Sequence, residues 1–368
     1  MAYGINDNGD IVGGSGPLVI AGELSKVSEV ATLWTKKGEV TALSNSKTFA
    51  MDINNLGQTV VYYYDYTNKT PVALIYGPDI KIEVGAGWPT AMNDNGQVVG
   101  MHNGNAVLWT LGDKGLYEEE VIAYSGSALD INNNGQIVGH YLNEFTKERH
   151  AFLWENGILT DLGTLGGNYS EANGINDFGQ VVGWSYLAAS DSETTSETLE
   201  KLEPLSQPKG NAFLWENGVM TDLGSTACYP GNKMMMESRI RRFSTCSEAL
   251  AINNRGQVVG RDTTLKGSFA AMWTVPIPPQ TPEEEVTQIT DEIENIVSAG
   301  NLNQGEGSAL NSKLDAATQQ FNEGNTTAGC NGLQAFINQV NAKIKSNKLS
   351  QEEGQALIDA ASSVTACN

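Results

Sequence analysis

Basic residues are scarce in this chain of 368 residues. Lys and Arg number 22 against 43 Asp and Glu, which gives a formal net charge of −21. This balance argues against nucleic acid and anionic membrane surfaces as partners, because both bind through clustered Lys and Arg. The sequence also lacks an apolar run of the roughly 20 residues that a membrane-spanning helix needs, so we expect no membrane insertion.

Cysteine and histidine are also rare, with four and three residues respectively. The even number of cysteines permits two disulfides without proving either. Hydrophobic residues make up 40% of the chain, which is too many for a wholly disordered polypeptide. The sequence contains no Gly-x-Ser-x-Gly, His-Glu-x-x-His or phosphate-binding loop, so no motif indicates a defined catalytic activity.

The main positive signal is an internal repeat with six copies. Each copy resembles Ile-Asn-Asx-x-Gly-Gln-Val-Val-Gly, and the shortest interval between copies is about 40 residues. The copies begin at Ile5, Ile53, Met92, Ile131, Ile175 and Ile252. A segment of the type Ala-x-Leu-Trp follows each copy, and in the fourth and fifth repeats an Asp-Leu-Gly segment comes next.

The repeat chemistry predicts short strands. Asn-x-x-Gly between β-branched residues indicates a hairpin turn, because Asx side chains cap their own backbone and Gly accepts positive φ. The Gln-Val-Val segments are too short and too β-branched for helices. Four strands per roughly 40 residues is the period of a propeller blade. We therefore predict an all-β unit over residues 1–274, a β-propeller of about six four-stranded blades, with an open β-solenoid as the alternative.

The last repeat lacks its Asp-Leu-Gly strand. We expect ring closure to use the N-terminal segment or residues 275–277, unless further blades belong to a longer natural protein. Met1 is followed at once by repeat residues, so no signal peptide is recognised, and a mature form or another export route is expected.

Two insertions interrupt the repeats. Residues 186–210 are rich in Ser, Glu and Thr and are expected to form a loop. Residues 226–247 contain three consecutive methionines and a basic cluster at 239–242. A disulfide between Cys228 and Cys246 would close this second insertion. The basic cluster is expected to be solvated or ion-paired, with a docking patch for an acidic partner as the alternative.

A second domain follows a proline-rich linker at residues 275–282. Residues 283–368 show apolar positions at helical spacing and predict a small bundle of four helices. Ser350, with Glu353 three residues later, indicates the N-cap of the fourth helix. A disulfide between Cys330 and Cys367 would suit a bundle of this size.

Two sets of segments resemble known bacterial families. They are residues 150–154, 161–167 and 174–183 in the repeats, and residues 302–305, 313–317 and 335–340 in the helical part. The first set is similar to the HAF family of extracellular repeats, a resemblance that covers roughly residues 1–274. The second set resembles the FIMAH domain, which accompanies bacterial secreted and surface proteins. The resemblance implies an extracellular or cell-surface location and no catalytic residue, and the paired cysteines agree with that location.

Acidic residues in and beside the repeated turns are the metal candidates. Calcium takes oxygen ligands, and the residues considered are Asp7, Asp10, Asp94, Asp130 and Asp177. Most turns are rich in Asn and lack the clustered carboxylates of an EF-hand loop. We therefore expect turn formation as the main role of these residues, with Ca²⁺ binding as the alternative. No other cofactor is predicted.

The histidines His102, His140 and His150 have no Cys or His partner at metal-ligand spacing, so we expect structural or surface roles. His102 and His140 follow equivalent glycines and are predicted to occupy matching positions. Asp161 and Asp222 recur at one place in the repeat, which favours a structural role. Paired carboxylates for glycoside hydrolysis, contributed by separate blades, are the alternative.

The sequence favours a secreted or surface-displayed, non-enzymatic protein that serves binding or assembly. Its ligands are expected at the loops of a propeller face or in the central channel. The expected partner is an extracellular protein, a glycan or a second copy of the chain. Two alternatives stay open: a secreted polysaccharide hydrolase or lyase, and a self-assembling extracellular polymer subunit.

Overall fold

The protein is described by a computed structural model. The described residues are 1–15, 19–20, 23–24, 30–44, 47–77, 80–188, 209–225, 244–264, 267–278, 281–298 and 300–367. The chain forms two compact units, Met1–Ile277 and Pro278–Asn368, and each is described by itself.

The first unit begins with three four-stranded antiparallel sheets. The first sheet has the order β1-β2-β5-β6, with a two-stranded ladder, β3-β4, in the connection between β2 and β5. Its strands are β1 Ala2–Ile5, β2 Ile11–Ser15, β3 Val19–Ile20, β4 Glu23–Leu24, β5 Val30–Trp34 and β6 Val40–Ala42. The second sheet contains β7 Phe49–Ile53, β8 Thr59–Asp65, β9 Thr70–Tyr76 and β10 Lys81–Ala86. The third contains β11 Trp88–Met92, β12 Val98–His102, β13 Asn105–Leu111 and β14 Tyr117–Ala123.

The fourth and fifth repeats share one nine-stranded sheet, and the sixth repeat forms a three-stranded sheet. The nine strands are β15 Gly126–Ile131, β16 Ile137–Leu142, β17 Arg149–Glu155, β18 Ile158–Gly163, β19 Gly166–Ile175, β20 Val181–Leu187, β21 Lys209–Glu216, β22 Val219–Gly224 and β23 Ser244–Thr245. The last sheet contains β24 Ser247–Ile252, β25 Gln257–Thr264 and β26 Gly267–Thr274.

The predicted β-propeller followed by a helical region is confirmed, but the predicted count of six four-stranded blades is wrong. The described residues form four sheets of four or more strands. A parallel backbone pair between Arg149 and Tyr169 joins the fourth and fifth repeats into one sheet. The sixth repeat has three strands because the segment for its fourth strand is missing from the sequence.

Apolar side chains pack between consecutive repeats. Between the fourth and fifth repeats, Val138 and Leu153 on one side meet Ala172, Ile175 and Phe213 on the other. Equivalent clusters occupy the other four junctions between neighbouring repeats. A single sheet could not bury both of its faces, so each repeat depends on its neighbours for its core.

In five of the six repeats, the glycine of the Val-Val-Gly segment lies where two backbones approach closely. It lies opposite a β-bulge in the first strand of the repeat, as Gly183 does opposite β19. A Cβ at Gly183 would lie 1.9 Å from the backbone O of Glu171. The same clash, at 1.9–2.1 Å, would arise at Gly13, Gly100, Gly139 and Gly260. The second repeat carries Val61 at this position.

The second unit consists of four helices and a short 3₁₀ turn at Thr365–Cys367. The helices are α1 Pro282–Ser298, α2 Gln304–Asn322, α3 Thr326–Lys345 and α4 Gln351–Ser363. The predicted capping box of Ser350 and Glu353 is present at α4. The predicted disulfide between Cys330 and Cys367 is also present.

Buried apolar residues from all four helices form one core, which includes Ile293, Leu314, Phe336 and Leu357. No helix among the described residues has the length and hydropathy to cross a membrane.

The substitution Gly183→Ala tests the close backbone approach. We expect it to lower the free energy of unfolding by about 3 kcal/mol, because either β19 or β20 must move to admit the new methyl group. Gly14→Ala is the matched control, since a Cβ at Gly14 would meet nothing within 4 Å. Denaturant unfolding of both variants and the wild type measures the difference. Equal stability of the two variants would contradict this account of the repeated glycine.

Candidate functional site

In the first five repeats, the first Asn of the turn links its repeat to the next. Asn93 Nδ2 donates to the backbone O of Asn132 at 3.1 Å, and Asn132 Nδ2 donates to the backbone O of Asn176 at 2.9 Å. The same hydrogen bond joins Asn6 to Asn54, Asn54 to Asn93 and Asn176 to Asn253. Each Asn also accepts from the backbone N–H four residues later, as Asn93 does from Gln97 at 3.0 Å. One side chain therefore closes its own turn and fixes the neighbouring one.

The second turn residue alternates between Asp and Asn along the six repeats. These residues are Asp7, Asn55, Asp94, Asn133, Asp177 and Asn254. The backbone N–H of each of the first five donates to the side-chain oxygen of its counterpart in the following repeat, at 2.8–3.0 Å. Asn55 Nδ2 also donates to the carboxylates of Asp7 and Asp94, at 2.9 and 3.1 Å. Alternation thus separates the carboxylates and pairs each of them with an amide.

The other two calcium candidates lie elsewhere. Asp10 accepts from the backbone N–H of Lys36 at 3.1 Å. Asp130 accepts from the backbone N–H groups of Ile131 and, across the junction, Ile175, both at 2.9 Å. Within the described part of the chain, no group of three or more His, Cys, Asp or Glu residues is suited to hold a metal. A calcium role for the five candidates stays a prediction.

Two aspartates between repeats have raised pKa values. Burial raises the pKa of Asp130 to about 7, although the Ile175 N–H opposes the shift, and the charge of Asp52 adds to it. Burial likewise raises the pKa of Asp52 to about 6. Asp52 Oδ2 accepts from the backbone N–H of Met92 in the next repeat at 3.0 Å. Both carboxylates therefore serve the contact between repeats, and their ionised forms are disfavoured there.

His102 and His140 do not occupy matching positions, so that prediction is wrong. His102 lies two residues after the glycine of its repeat, whereas His140 follows its glycine directly. A shift of one residue turns a side chain to the opposite face of a strand. His102 Nδ1 lies 2.8 Å from Glu119 in its own repeat, and His140 Nδ1 lies 3.2 Å from Glu171 in the next repeat.

Asp161 and Asp222 connect the third and fourth strands of their repeats. Asp161 lies 2.8 Å from Nδ1 of His150 and accepts from the backbone N–H of Gly163 at 2.8 Å. Asp222 accepts from Asn211 at 3.0 Å in the equivalent arrangement. A residue pair that recurs with the same geometry in two repeats is consistent with the structural role expected for it.

Four polar side chains meet where the fourth and fifth repeats join, and we call them the junction cluster: His140, Arg149, Tyr169 and Glu171. Strands β16, β17 and β19 position them, because the parallel pair of Arg149 with Tyr169 brings β17 beside β19. Arg149 Nη1 donates to the Tyr169 hydroxyl at 2.7 Å, and that hydroxyl donates to Glu171 at 3.0 Å. Arg149 Nη1 also lies 3.7 Å from the Glu171 carboxylate.

The junction cluster holds an ionised carboxylate. Burial raises the pKa of Glu171, but hydrogen bonds and charges from His140, Tyr169 and Arg149 outweigh it, so the pKa lies below its usual range. Burial and the negative charge of Glu171 raise the pKa of Tyr169 to about 12, so this hydroxyl stays protonated. The Arg149 side chain is 43% exposed and the Glu171 side chain 20% exposed, so solvent reaches both charges.

Aromatic rings pack against Tyr169 of the junction cluster. Tyr169 stacks on Trp184 with ring centroids 4.6 Å apart. The Arg149 guanidinium lies 5.4 Å from the centroid of the Tyr169 ring. Tyr186 packs against both Tyr169 and Trp184, at 5.5 and 5.3 Å. Trp184 and Tyr186 are buried. These contacts fix the ring of Tyr169 and therefore the position of its hydroxyl.

Sequence reasoning identified only His140 among the four cluster residues. The available signal was a departure from the repeat, because Trp184 lies outside the repeated Trp position and Tyr169 and Glu171 lie two residues apart on one strand. Three other predicted features lie outside the described residues: Cys228 with its pairing to Cys246, the three methionines, and the basic cluster at 239–242.

Comparison with known proteins identifies the helical unit. Residues 286–366 match the model of the FIMAH domain, which confirms the predicted resemblance of that part. The resemblance of the repeats to the HAF family stays a prediction. No curated protein matches the chain.

Three solved structures show distant similarity to the chain. The chain is similar to the β-propeller domain of the Trilobed protease from Pyrococcus furiosus, at 10% identity and a TM-score of 0.35, over 75% of this chain and 96% of that one. It is also similar to dipeptidyl peptidase 4 from Porphyromonas gingivalis, at 9% identity and a TM-score of 0.42, over 74% and 43%. An acylaminoacyl peptidase matches at 11% identity and a TM-score of 0.40, over 74% and 44%. Scores this low carry no argument about function.

The raised pKa of Asp130 predicts a pH-dependent stability. A carboxyl whose pKa is higher in the folded than in the unfolded chain binds more protons when folded, so the free energy of unfolding falls as pH rises towards about 7. We expect a loss on the order of 2 kcal/mol from this group between about pH 5 and pH 8.

Denaturant unfolding of the wild type and Asp130→Asn at several pH values measures this effect. The variant should show a smaller pH slope than the wild type, whatever its absolute stability, because an asparagine side chain does not titrate. Identical slopes in the two proteins would show that Asp130 titrates normally.

Proposed function

We propose that this protein is an extracellular, non-enzymatic binding scaffold whose β-propeller presents the junction cluster to a neutral glycan. An extracellular protein is the alternative partner. The observation that carries the proposal is the state of the Glu171 carboxylate. Glu171 lies within 3.7 Å of three side chains from two repeats, His140, Arg149 and Tyr169, and is partly open to solvent. Its lowered pKa favours the ionised form.

The electrostatics of the cluster favour binding over hydrolysis. Glycoside hydrolysis needs a carboxylic acid with a raised pKa to protonate the leaving oxygen, paired with a second carboxylate. The pKa of Glu171 is lowered, and so is that of Asp161 on β18, where backbone and His150 hydrogen bonds outweigh the effect of burial. Asp52 and Asp130 have raised pKa values, but their carboxyl groups accept backbone hydrogen bonds across junctions between repeats. Neither Glu171 nor Asp161 therefore supplies the protonated carboxyl that acid catalysis needs.

The geometry of the cluster suits recognition of hydroxyl groups. Arg149 offers N–H donors, Glu171 offers acceptor oxygens, and His140 and the Tyr169 hydroxyl can serve in either role. Their mutual contacts, and the ring stacking below Tyr169, hold these groups in place before a ligand arrives. Such preorganisation lowers the entropic cost of binding.

The net charge of the protein supports a neutral ligand. At a formal charge of −21, the whole-protein field repels acidic polysaccharides. The Arg149 charge is balanced locally by Glu171, so the cluster offers no excess of positive charge to an anion. A neutral glycan is not repelled by the net charge and does not need an excess of positive charge in the cluster.

The extracellular location is supported by the helical unit. The Cys330–Cys367 disulfide is typical of proteins in oxidising compartments. The match of residues 286–366 to the FIMAH domain agrees with the setting that the sequence resemblance implies.

Binding of neutral polysaccharides to the full chain and to cluster variants tests the proposal. We expect Arg149→Ala and Glu171→Gln to weaken the affinity by about 10-fold or more, since each removes hydrogen bonds to a charged group. Isothermal titration calorimetry measures the affinities, after a glycan array selects the ligand.

Arg261→Ala is the matched control. Arg261 pairs with Glu248 in the sixth repeat, at the positions that Trp184 and Glu171 hold in the fifth. Among the described residues, its side-chain hydrogen bond is to Glu248 and not to a histidine or tyrosine. Its variant should bind like the wild type. Polysaccharide turnover that Glu171→Gln abolishes would contradict a non-enzymatic role. Glycan binding that survives both cluster substitutions would place the ligand elsewhere.

A further inference from the structure

The first and last sheets of the propeller each expose a face that is buried at the internal junctions. Val259 on the last sheet is 49% exposed, whereas its five counterparts in the earlier repeats are 0% exposed. Those counterparts are Val12, Val60, Val99, Val138 and Val182. Met272 is 68% exposed at the position where Leu153 and Leu214 are buried. The last sheet therefore ends in an apolar face of the kind that receives a following repeat.

The first sheet shows the complementary face. Ile5 is 65% exposed, whereas Ile53, Met92, Ile131 and Ile175 at the same position are 4–5% exposed. In the later repeats this position packs against the preceding repeat, as Ile175 does with Leu153. Tyr3 on the same strand is also exposed. The sheet thus lacks the neighbour that covers every other first strand.

The polar groups at the two ends are complementary as well. At each internal junction the first turn Asn donates through Nδ2 to the backbone O of the next Asn. Within the described residues, Asn253 Nδ2 donates only to Gln257 of its own turn. The backbone O of Asn6 accepts only from Gly9 of its own turn in the same part of the chain. Among the described residues, the last turn therefore has a donor without an acceptor in another repeat, and the first turn has an acceptor without a donor in another repeat.

The alternating turn residues extend this match. The series runs from Asp7 to Asn254, so placing one end against the other continues the alternation of acid and amide. At such a contact the carboxylate of Asp7 meets the amide of Asn254 and not a second carboxylate. Arg255, beside Asn254, adds a positive charge at the end that would approach Asp7.

The last sheet also has a cavity that such a neighbour could enter. Its volume is about 510 Å³, and its lining includes Leu223, Phe269, Met272 and Trp273. Leu223 and Trp273 also pack against the apolar cluster between the fifth and sixth repeats. The cavity therefore continues an interface that already exists within the chain.

We infer that the exposed face of the last sheet binds the exposed face of the first sheet of a second copy of this chain. The two faces do not bind each other within one chain, because among the described residues no backbone hydrogen bond joins the first and last sheets and Ile5 and Val259 are exposed. The contact reproduces the internal junction: Asn253 donates to the partner's Asn6, and Asn254 to the partner's Asp7. Because the two faces differ, the contact is heterologous and leads to chains or rings rather than to a symmetric dimer.

Sedimentation velocity of the full chain from about 1 to about 100 µM tests this inference. The wild type should show a mass that rises with concentration. Ile5→Glu and Met272→Glu should each stay monomeric, because a buried unpaired charge opposes the contact. Both side chains are exposed, so the variants should keep the wild-type circular dichroism spectrum. Ile158→Glu, at an exposed position on β18, is the matched control and should assemble like the wild type.

An equimolar mixture of Ile5→Glu and Met272→Glu provides the sharper test. The intact last face of the first variant can bind the intact first face of the second, so the mixture should form dimers and nothing larger. A wild type that stays monomeric throughout, as closure within one chain would make it, overturns the inference. Assembly by either single variant alone also overturns it. Glycan binding by the monomeric variants is measured separately, so failure here leaves the proposed function standing.

Discussion

The hydrogen bond from one turn asparagine to the backbone of the next repeat is the constraint on which the sheet unit depends. Each of these side chains is buried and serves two turns at once, as Asn132 does by accepting from Gln136 and donating to Asn176. The bond fixes the distance and register between neighbouring sheets. Only with that register set can the valine and leucine faces of consecutive repeats pack together, and can the second turn residues alternate between acid and amide.

The chemistry of the acidic residues follows from this constraint. In a chain with 43 acidic residues, many carboxylates could be available for catalysis or metal binding. In the sheet unit, however, Asp52, Asp94, Asp130 and Asp177 accept hydrogen bonds that join repeats. Their oxygens are therefore committed to the scaffold. Glu171 differs because side chains rather than backbone groups hold it, which leaves it partly open for a ligand.

Much of the fold could be predicted from the sequence because its signals are local. The Asn-x-x-Gly turns, the β-branched strands and the Ser350 capping box depend on residues a few positions apart. The number of separate sheets could not be predicted, since one parallel backbone pair, Arg149 with Tyr169, decides it. The offset of His102 from His140 was missed for a related reason. The glycine pattern aligns the repeats, but one extra residue before a histidine reverses its face.

The junction cluster was also beyond a sequence argument, because its members come from three strands in two repeats. No short spacing brings His140 near Glu171, and the contact exists only once the fourth and fifth repeats are packed. Such a site is difficult to recognise in a repeat sequence, because the residues that form it are not part of the repeated pattern. Trp184, which breaks the tryptophan pattern, was the available pointer.

Unfolding of the variant Asn132→Ala tests the central claim most directly. Removing this side chain leaves the Gln136 N–H and the Asn176 carbonyl without their buried partners. We predict a loss of about 2–4 kcal/mol in the free energy of unfolding, against little change for Asn68→Ala in an exposed turn. Unchanged stability of Asn132→Ala, together with loss of ligand binding, would contradict the account and assign the turns to a binding site.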